Sequence, residues 1–344
     1  MRLFEQLRLG SATIRNRLMM SPMSQRAAGE DGRASDWHLV HYGSRAVGGC
    51  GLVMIEDTAV TALGRTSRSA LGMYDEGQVE QLRRIVSFCR AQGASVGVQL
   101  AHAGRKALSD TRGAAGTLAP TPLAYGPGWE IPAQATLAQL EVLVAAFAAA
   151  ATLALRADFD VLELHAAHGY LLHQFLSPLT NRREDGYGRD GAGRRRLLLE
   201  TIASVRGRWP DERPLFVRLP AGDGAPAGLQ AKDVVECALA CEAAGATLID
   251  LTGGTPLLGG ERVAPEQTWA TAAALRRGCE LPLALGGGVV DGADAQALLD
   301  EHGAALVSVG RPLLEEPYWP VRVARELDAP ASLPAGYAAA LDAP

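Results

Sequence analysis

Lysine is almost missing from this chain. Of its 33 basic residues only two, Lys106 and Lys232, are lysines. Arginine carries nearly all the positive charge, so each lysine calls for a local reason. Neither sign of charge dominates: 33 basic against 38 acidic residues leave a net charge of −5. That balance argues against a nucleic-acid partner or a membrane-surface patch. No run of 18 apolar residues escapes interruption by charge, so no membrane span is expected. The opening MRLFEQLRLG has no apolar stretch of signal-peptide length, and the chain is read as cytoplasmic. Cysteine is sparse: Cys50, Cys89, Cys237, Cys241 and Cys279 offer neither a disulfide framework nor an iron–sulfur spacing. The Gly-rich dinucleotide fingerprint that would follow the first strand of a doubly wound sheet is also absent.

What is present is a repeating alternation. With 48% hydrophobic and 21% charged residues over 344 positions, the composition is that of a globular protein. Short runs rich in Val, Leu and Ile read as strands buried on both faces: 18–21, 52–55, 95–100, 161–165, 215–219, 248–252, 282–286 and 306–310. Helical segments fall between them, near 36–48, 75–92, 136–157, 191–207, 231–244, 267–277, 291–302 and 315–327. Val79, Leu82, Ile85, Val86 and Cys89 keep a helical period, and the Ala-rich 136–157 stretch has high helix propensity. Eight β–α units predict an α/β protein with a single (β/α)8 TIM barrel spanning 1–344, with a doubly wound sheet as the alternative. The irregular stretch 109–132 is expected to form a lid over the barrel.

In parallel α/β folds, ligands bind at the carboxyl edge of the strands. The fourth strand ends in His165-Ala166-Ala167-His168-Gly169-Tyr170, two imidazoles and a phenol within six residues. Three readings of this cluster stand open: histidines satisfying a loop, a metal site that adds His173, and a paired donor site for a developing anion with Tyr170 as the acid. The metal reading lacks an acidic ligand at zincin spacing and any cysteine partner, so no metal is expected. The third strand ends in Gln99, whose amide can meet the edge of a heterocycle or bond to backbone. The fifth carries Arg218 amid apolar neighbours, where it needs a partner. Gly286-Gly287-Gly288 and Gly310-Arg311 close the seventh and eighth strands, one β–α unit apart. Backbone N–H groups there can close on a phosphate, with Arg311 adding a bidentate contact.

HAAHGYLLHQFLSP followed by NRREDGYG, together with QLAHAGRK, resembles the central motifs of the Old Yellow Enzyme family of FMN-dependent ene-reductases. The HxxH pair matches its bacterial thermophilic-like subclass, and the likeness covers essentially the whole chain. It implies FMN as cofactor and NADPH or NADH as hydride donor. It further implies reduction of activated C=C bonds in small molecules by a ping-pong mechanism, with a homodimer or homotetramer both open. His165 and His168 would hold the substrate carbonyl, and Tyr170 would deliver a proton. Ser21, Pro22, Met23, Ser24 and Asp57 would lie against the flavin, Gln99 at its pyrimidine edge and Arg218 beside N1 and O2. Gly287, Gly288, Gly310 and Arg311 would hold the phosphate, while Arg26, Lys106 and Tyr170 would line the substrate side. Ser24, Arg26, Asp57 and Pro220 depart from the family pattern of Cys, Tyr, a small residue and Ser. These departures keep open a flavin-binding barrel without ene-reduction, as a storage protein or isomerase. Tyr337 is followed by Ala338 and Ala339, where the family has an arginine that reaches a neighbouring subunit. Arg26 and Asp57, side by side and of opposite charge, are expected to form an ion pair at the catalytic face; the alternatives are Arg26 in water with Asp57 capping a loop, or Arg26 holding an anionic substrate group with Lys106 assisting.

Overall fold

The fold was analysed in a computed structural model, which describes residues 1–108, 116–261, 263–334, 337 and 339. Eight parallel strands close into a barrel: β1 (Leu18–Met20), β2 (Leu52–Ala59), β3 (Ser95–Ala101), β4 (Val161–His165), β5 (Leu215–Pro220), β6 (Leu248–Thr252), β7 (Leu283–Gly286) and β8 (Leu306–Val309). Each pairs with its sequence neighbours, and β8 closes on β1 through Val307 opposite Leu18. Every residue of β2, β3, β4 and β5 is buried, as runs without polar alternation require.

An outer ring follows the same order: α1 (Asp36–Val47), α2 (Val79–Ala91), α3 (Leu137–Arg156), α4 (Gly191–Arg206), α5 (Ala231–Ala243), α6 (Pro265–Leu275), α7 (Gly292–Asp300) and α8 (Trp319–Glu326). Helix α3 is capped by Thr136, whose hydroxyl accepts from the Gln139 N–H while the Gln139 side chain accepts from the Thr136 N–H. By length and composition α3 could cross a membrane. It instead buries Leu140, Leu143, Phe147, Ala150, Ala151 and Ala154 in the layer between sheet and helices. All five cysteines are free and buried.

Met19, Leu52, Met54, Val161, Phe216, Leu248, Ala284 and Leu306 fill the barrel interior. An N-terminal hairpin, Leu7–Leu9 paired with Ala12–Ile14, packs Ala12 and Ile14 into this cluster and plugs the end opposite the strand tips. The alternation pattern missed it because each strand is three residues long. Its turn depends on Gly10 at φ +52°, where a Cβ would meet the Glu212 carbonyl oxygen at 2.2 Å.

Residues 109–115 of the expected lid lie outside the described residues. The remainder runs back across the barrel mouth: Leu118–Ala119 pair with Ala133–Gln134, and Arg105 Nη1 donates to the carbonyls of Leu123 (3.0 Å) and Ala124 (3.2 Å). Tyr337 stacks obliquely on Tyr318 of its own chain, ring centroids 6.5 Å apart.

Candidate active site

At the tips of β4, β5 and β6 the strand register sets His165 opposite Arg218, and Arg218 opposite Asp250. Beneath that row Gln99 stands opposite Glu163, and Asp57 opposite Gln99. Parallel pairing at about 4.8 Å per strand therefore gathers residues far apart in sequence onto one edge.

His165 Nδ1 accepts from the Ala167 N–H at 3.2 Å, so its proton resides on Nε2. That Nε2 lies 3.2 Å from His168 Nδ1. Two ring nitrogens this close can both reach one acceptor atom. His168 Nε2 stands 3.3 Å from Thr252 Oγ1, and Thr252 Oγ1 accepts from Arg218 Nη2 at 3.4 Å. His168 adopts φ +55°, and Lys106 Nζ donates to its carbonyl oxygen at 2.7 Å. The local reason for a lysine is visible here: its ammonium sits 4.7 Å from the Tyr170 ring centroid and 4.9 Å from that of Tyr125. Burial holds both histidines well below the usual imidazole range, and the nearby Arg218 and Lys106 charges reinforce it. Both rings are therefore neutral near pH 7. Burial, followed by the nearby Asp57, pushes the Tyr170 phenol well above its usual value, so it keeps its proton. The Tyr170 ring meets His165 edge-on, centroids 4.8 Å apart.

The third histidine is spent elsewhere. Buried His173 accepts from the Gly169 N–H at Nδ1 (2.9 Å), and its Nε2 lies 2.8 Å from Asp223 Oδ1. It fixes the loop that carries the other two. No cluster of three metal-ligating side chains occurs among the described residues.

Gln99 Nε2 donates to Glu163 Oε1 at 2.7 Å, leaving its carbonyl oxygen as the free end of the amide. Arg218 Nε pairs with Asp250 Oδ2 at 3.1 Å, although the approach is not aligned as a hydrogen bond. Burial raises the pKa of Glu163 and of Asp250, opposed in both cases by Arg218. Glu163, Asp250 and Thr252 were not foreseen. The first two had a signal, since an acid inside a buried strand needs a partner just as Arg218 does.

A cavity of about 530 Å³ opens beside these tips. Ser21, Pro22, Met23, His168, Arg218, Gly287, Gly288, Gly310 and Arg311 all line it. Gly287 and Gly288 have φ of +90° and +75°, and nothing crowds either: their nearest neighbours lie 3.7 Å or more from an added Cβ. The short turn Arg311–Glu315 begins beside them, in the arrangement that binds phosphate in this barrel class. The buried Ser308 hydroxyl at this wall has no hydrogen-bond partner among the described residues. An open glycine cradle, an unpaired hydroxyl and the Arg218 guanidinium suit the phosphate and ring of a flavin mononucleotide. Gln99, Asp57, His165 and Tyr170 are not in the cavity's immediate lining. They sit deeper, or further round the barrel mouth.

The expected Arg26–Asp57 ion pair does not form. Asp57 Oδ1 accepts instead from the Ser24 hydroxyl. Arg26 is exposed at φ +53° and has no hydrogen bond or ion pair with a described residue. The cause is a bulge in β2: Ile55 pairs with Val98 and Asp57 with Gln99, so Glu56 is the extra residue. Glu56 turns toward α1, accepting from Tyr42 Oη (3.1 Å) and the Gln25 N–H (2.7 Å), and Asp57 is directed at Ser24. Burial and the adjacent Glu56 push the Asp57 carboxyl up to about 7, while Ser24 and Lys106 oppose the shift. An Asp57 about half protonated near pH 7 has less need of an arginine.

A closed parallel barrel with a glycine cradle beyond β7 and β8, and a histidine pair beyond β4, defines a flavin-dependent barrel oxidoreductase. Residues 2–329 match the NADH:flavin oxidoreductase / NADH oxidase family, and the chain belongs to that family. It is 40% identical over 326 residues to an NADPH dehydrogenase of Geobacillus sp. (strain WCH70), covering 94% of each chain. It is 39% identical over 340 residues to an NADPH dehydrogenase of Listeria monocytogenes serovar 1/2a, covering 98% of this chain and 99% of that one. The fold superposes on morphinone reductase with a TM-score of 0.83 at 26% identity, covering 96% and 90% of the two chains. The Old Yellow Enzyme homologue of Zymomonas mobilis gives 0.83 at 25% identity, covering 96% and 94%. The protein is an NAD(P)H-dependent flavin oxidoreductase of the Old Yellow Enzyme family, with FMN as its cofactor.

Proposed function

We propose that the protein reduces activated C=C bonds of α,β-unsaturated carbonyl compounds by a ping-pong mechanism. The observation that carries this reading is the pair of neutral imidazoles, ring nitrogens 3.2 Å apart, with a protonated phenol against them. FMN, when bound, supplies the hydride that it takes from NAD(P)H. Gly287, Gly288, Gly310 and Arg311 would hold its phosphate, Arg218 its N1 and O2 edge, and the free Gln99 carbonyl its pyrimidine edge. Ser21, Pro22, Met23, Ser24 and Asp57 would line the ring.

His165 and His168 donate to the substrate carbonyl oxygen, which gains negative charge as the β-carbon is reduced. His165 is already protonated at Nε2. His168 would present Nδ1–H in the tautomer that leaves Nε2 unprotonated toward Thr252 Oγ1, 3.3 Å away, whose hydroxyl donates to the Gly253 carbonyl at 3.4 Å. Such donors cost no reorganisation during the reaction, and each contributes about 2.7–4 kcal/mol by analogy with oxyanion holes. Tyr170 gives its proton to the α-carbon. Lys106 holds the His168 carbonyl and faces the Tyr170 ring. The exposed, unpaired Arg26 guanidinium favours substrates bearing an acidic group, and a homodimer or homotetramer is compatible with the fold. Steady-state kinetics with NADPH and a cyclic enone test the reading. Saturated ketone and parallel double-reciprocal lines are expected, while NADPH oxidation with no saturated product would reject it.

A further inference from the structure

His173 touches neither flavin nor substrate in the proposed site, yet both of its ring nitrogens are engaged. The Gly169 N–H donates to Nδ1 at 2.9 Å. The ring proton therefore sits on Nε2, directed at Asp223 Oδ1 2.8 Å away. Both side chains are wholly buried. Gly169 is the residue that joins His168 to Tyr170. We propose that His173 and Asp223 are positioning residues for C=C reduction, holding the turn from His168 to Tyr170 in the shape that aims both side chains.

This rests on the ene-reductase reading above, in which His168 and Tyr170 meet the substrate. The turn needs outside support. His168 and Gly169 both have left-handed backbone, with φ of +55° and +73°. A residue with a side chain keeps that conformation only where its surroundings impose it. Three side chains impose it here. Lys106 Nζ donates to the His168 carbonyl at 2.7 Å, Gln174 Nε2 donates to the Gly169 carbonyl at 2.8 Å, and His173 accepts the Gly169 N–H. His173 also ties the turn to the loop beyond β5, where Asp223 stands. A buried N–H robbed of its acceptor either bends the turn or lets water in.

Asp223 decides which nitrogen of His173 carries the proton. Its Oδ2 accepts from Ser177 Oγ (2.6 Å) and the Leu229 N–H (2.8 Å), which leaves Oδ1 for the His173 Nε2–H. A carboxylate can accept at both oxygens, but an amide cannot. In Asp223→Asn the oxygen must stay toward the Leu229 N–H, so the NH2 turns to His173. The imidazole proton is then driven to Nδ1, where it meets the Gly169 N–H donor to donor. His173→Asn removes that conflict. Its amide oxygen is borne on Cγ, as Nδ1 is, and can accept from Gly169, while nothing occupies the place of Nε2.

Two measurements on the FMN-loaded enzyme test the proposal. The first is NMR without substrate. Labelling with 13C-histidine and 15N-glycine selects Gly169 and Gly303, the two glycines that follow a histidine. Gly169 should exchange slowly in wild type, about tenfold or more faster in Asp223→Asn, and slowly again in the His173→Asn/Asp223→Asn double variant. Imidazole 15N shifts, with His173 assigned by its loss in His173→Asn, should show Nε2–H in wild type and Nδ1–H in Asp223→Asn. A wild-type Nδ1–H tautomer, or Gly169 exchange unchanged in Asp223→Asn, overturns the proposal whether or not any enone is reduced. The second measurement is stopped-flow absorbance. Flavin reduction by NADPH should stay within about twofold of wild type in every variant. Reoxidation by a cyclic enone should slow about tenfold or more in Asp223→Asn and return to within about threefold of wild type in the double variant. A merely structural role predicts the opposite, a double variant below either single variant in Tm and in both half-reactions, and that result overturns the proposal. If wild type reduces no enone while Gly169 behaves as expected, the ene-reductase reading fails and the hold on the turn stands.

Discussion

A neutral imidazole beside an oxygen that is gaining charge lends an N–H without bringing a charge of its own. His165 and His168 are held in that state by burial, so neither ionises between pH 6 and 8. His165→Ala should slow enone reduction by about 10²–10³-fold, the usual loss for one oxyanion donor. Reduction of bound FMN by NADPH should stay largely intact, because the lost bond strengthens only in the substrate's transition state. Tyr170→Phe should slow the same step, and stopped-flow absorbance separates the two half-reactions. Wild-type rates in either variant would contradict the assigned roles. At this scale the sequence was informative where a residue type is rare in its setting, such as His165 and His168 at a strand end or Arg218 in an apolar run. It misled at Arg26 and Asp57, because proximity of opposite charges was read without the bulge at Glu56. Nothing in the apolar pattern of 52–59 marks that extra residue. Ser24, seen only as a departure, proved to be the partner of Asp57.

Each barrel strand begins within one residue of its expected start, since a buried parallel strand is a short apolar run between turns. The hairpin at the closed end and the short turn Arg311–Glu315 are too brief to carry a period. Two elements carry predictions. The loop after β7 needs left-handed backbone at Gly288, and a side chain there costs about 1–2 kcal/mol in that conformation. Gly288→Ala should therefore weaken FMN by about tenfold, measured by flavin fluorescence titration of the apoprotein. Unchanged affinity would remove the cradle role. The loop after β5 is tied to the catalytic loop through Asp223, which accepts from Ser177 Oγ (2.6 Å) and the Leu229 N–H (2.8 Å) as well as facing His173. Asp223 is buried, yet these partners outweigh its burial and hold its carboxyl below the usual value. A depressed folded pKa stabilises above the unfolded value of about 3.9 and is lost as pH falls through the folded value. Asp223→Asn should lower Tm at pH 7 and flatten the fall of Tm below about pH 4. A variant with the wild-type acid limb would show that Asp223 contributes nothing to it.

For the whole molecule, the alternation of eight apolar runs with eight helices was enough to predict a closed barrel, because few other topologies bury strands on both faces. The proposed site follows the same rule, since every residue proposed to touch flavin or substrate lies on or beyond a strand's carboxyl end. FMN bound at that mouth would contact elements from β1 to β8 if the proposed site residues hold it. It should therefore raise Tm by a few degrees at a hundredfold excess over Kd, through about 2.7 kcal/mol of linkage. The central claim is that this mouth brings a hydride from FMN to the β-carbon of an enone whose carbonyl oxygen is held by His165 and His168. The most direct test mixes photoreduced, FMN-loaded enzyme with a cyclic enone under anaerobic conditions, with no NADPH present. The account predicts that the oxidised flavin spectrum returns in step with one equivalent of saturated ketone, and that the His165→Ala/His168→Ala double variant retains its FMN but reoxidises at least 10²-fold more slowly. Flavin that stays reduced in the wild type, or a double variant as fast as wild type, would contradict it.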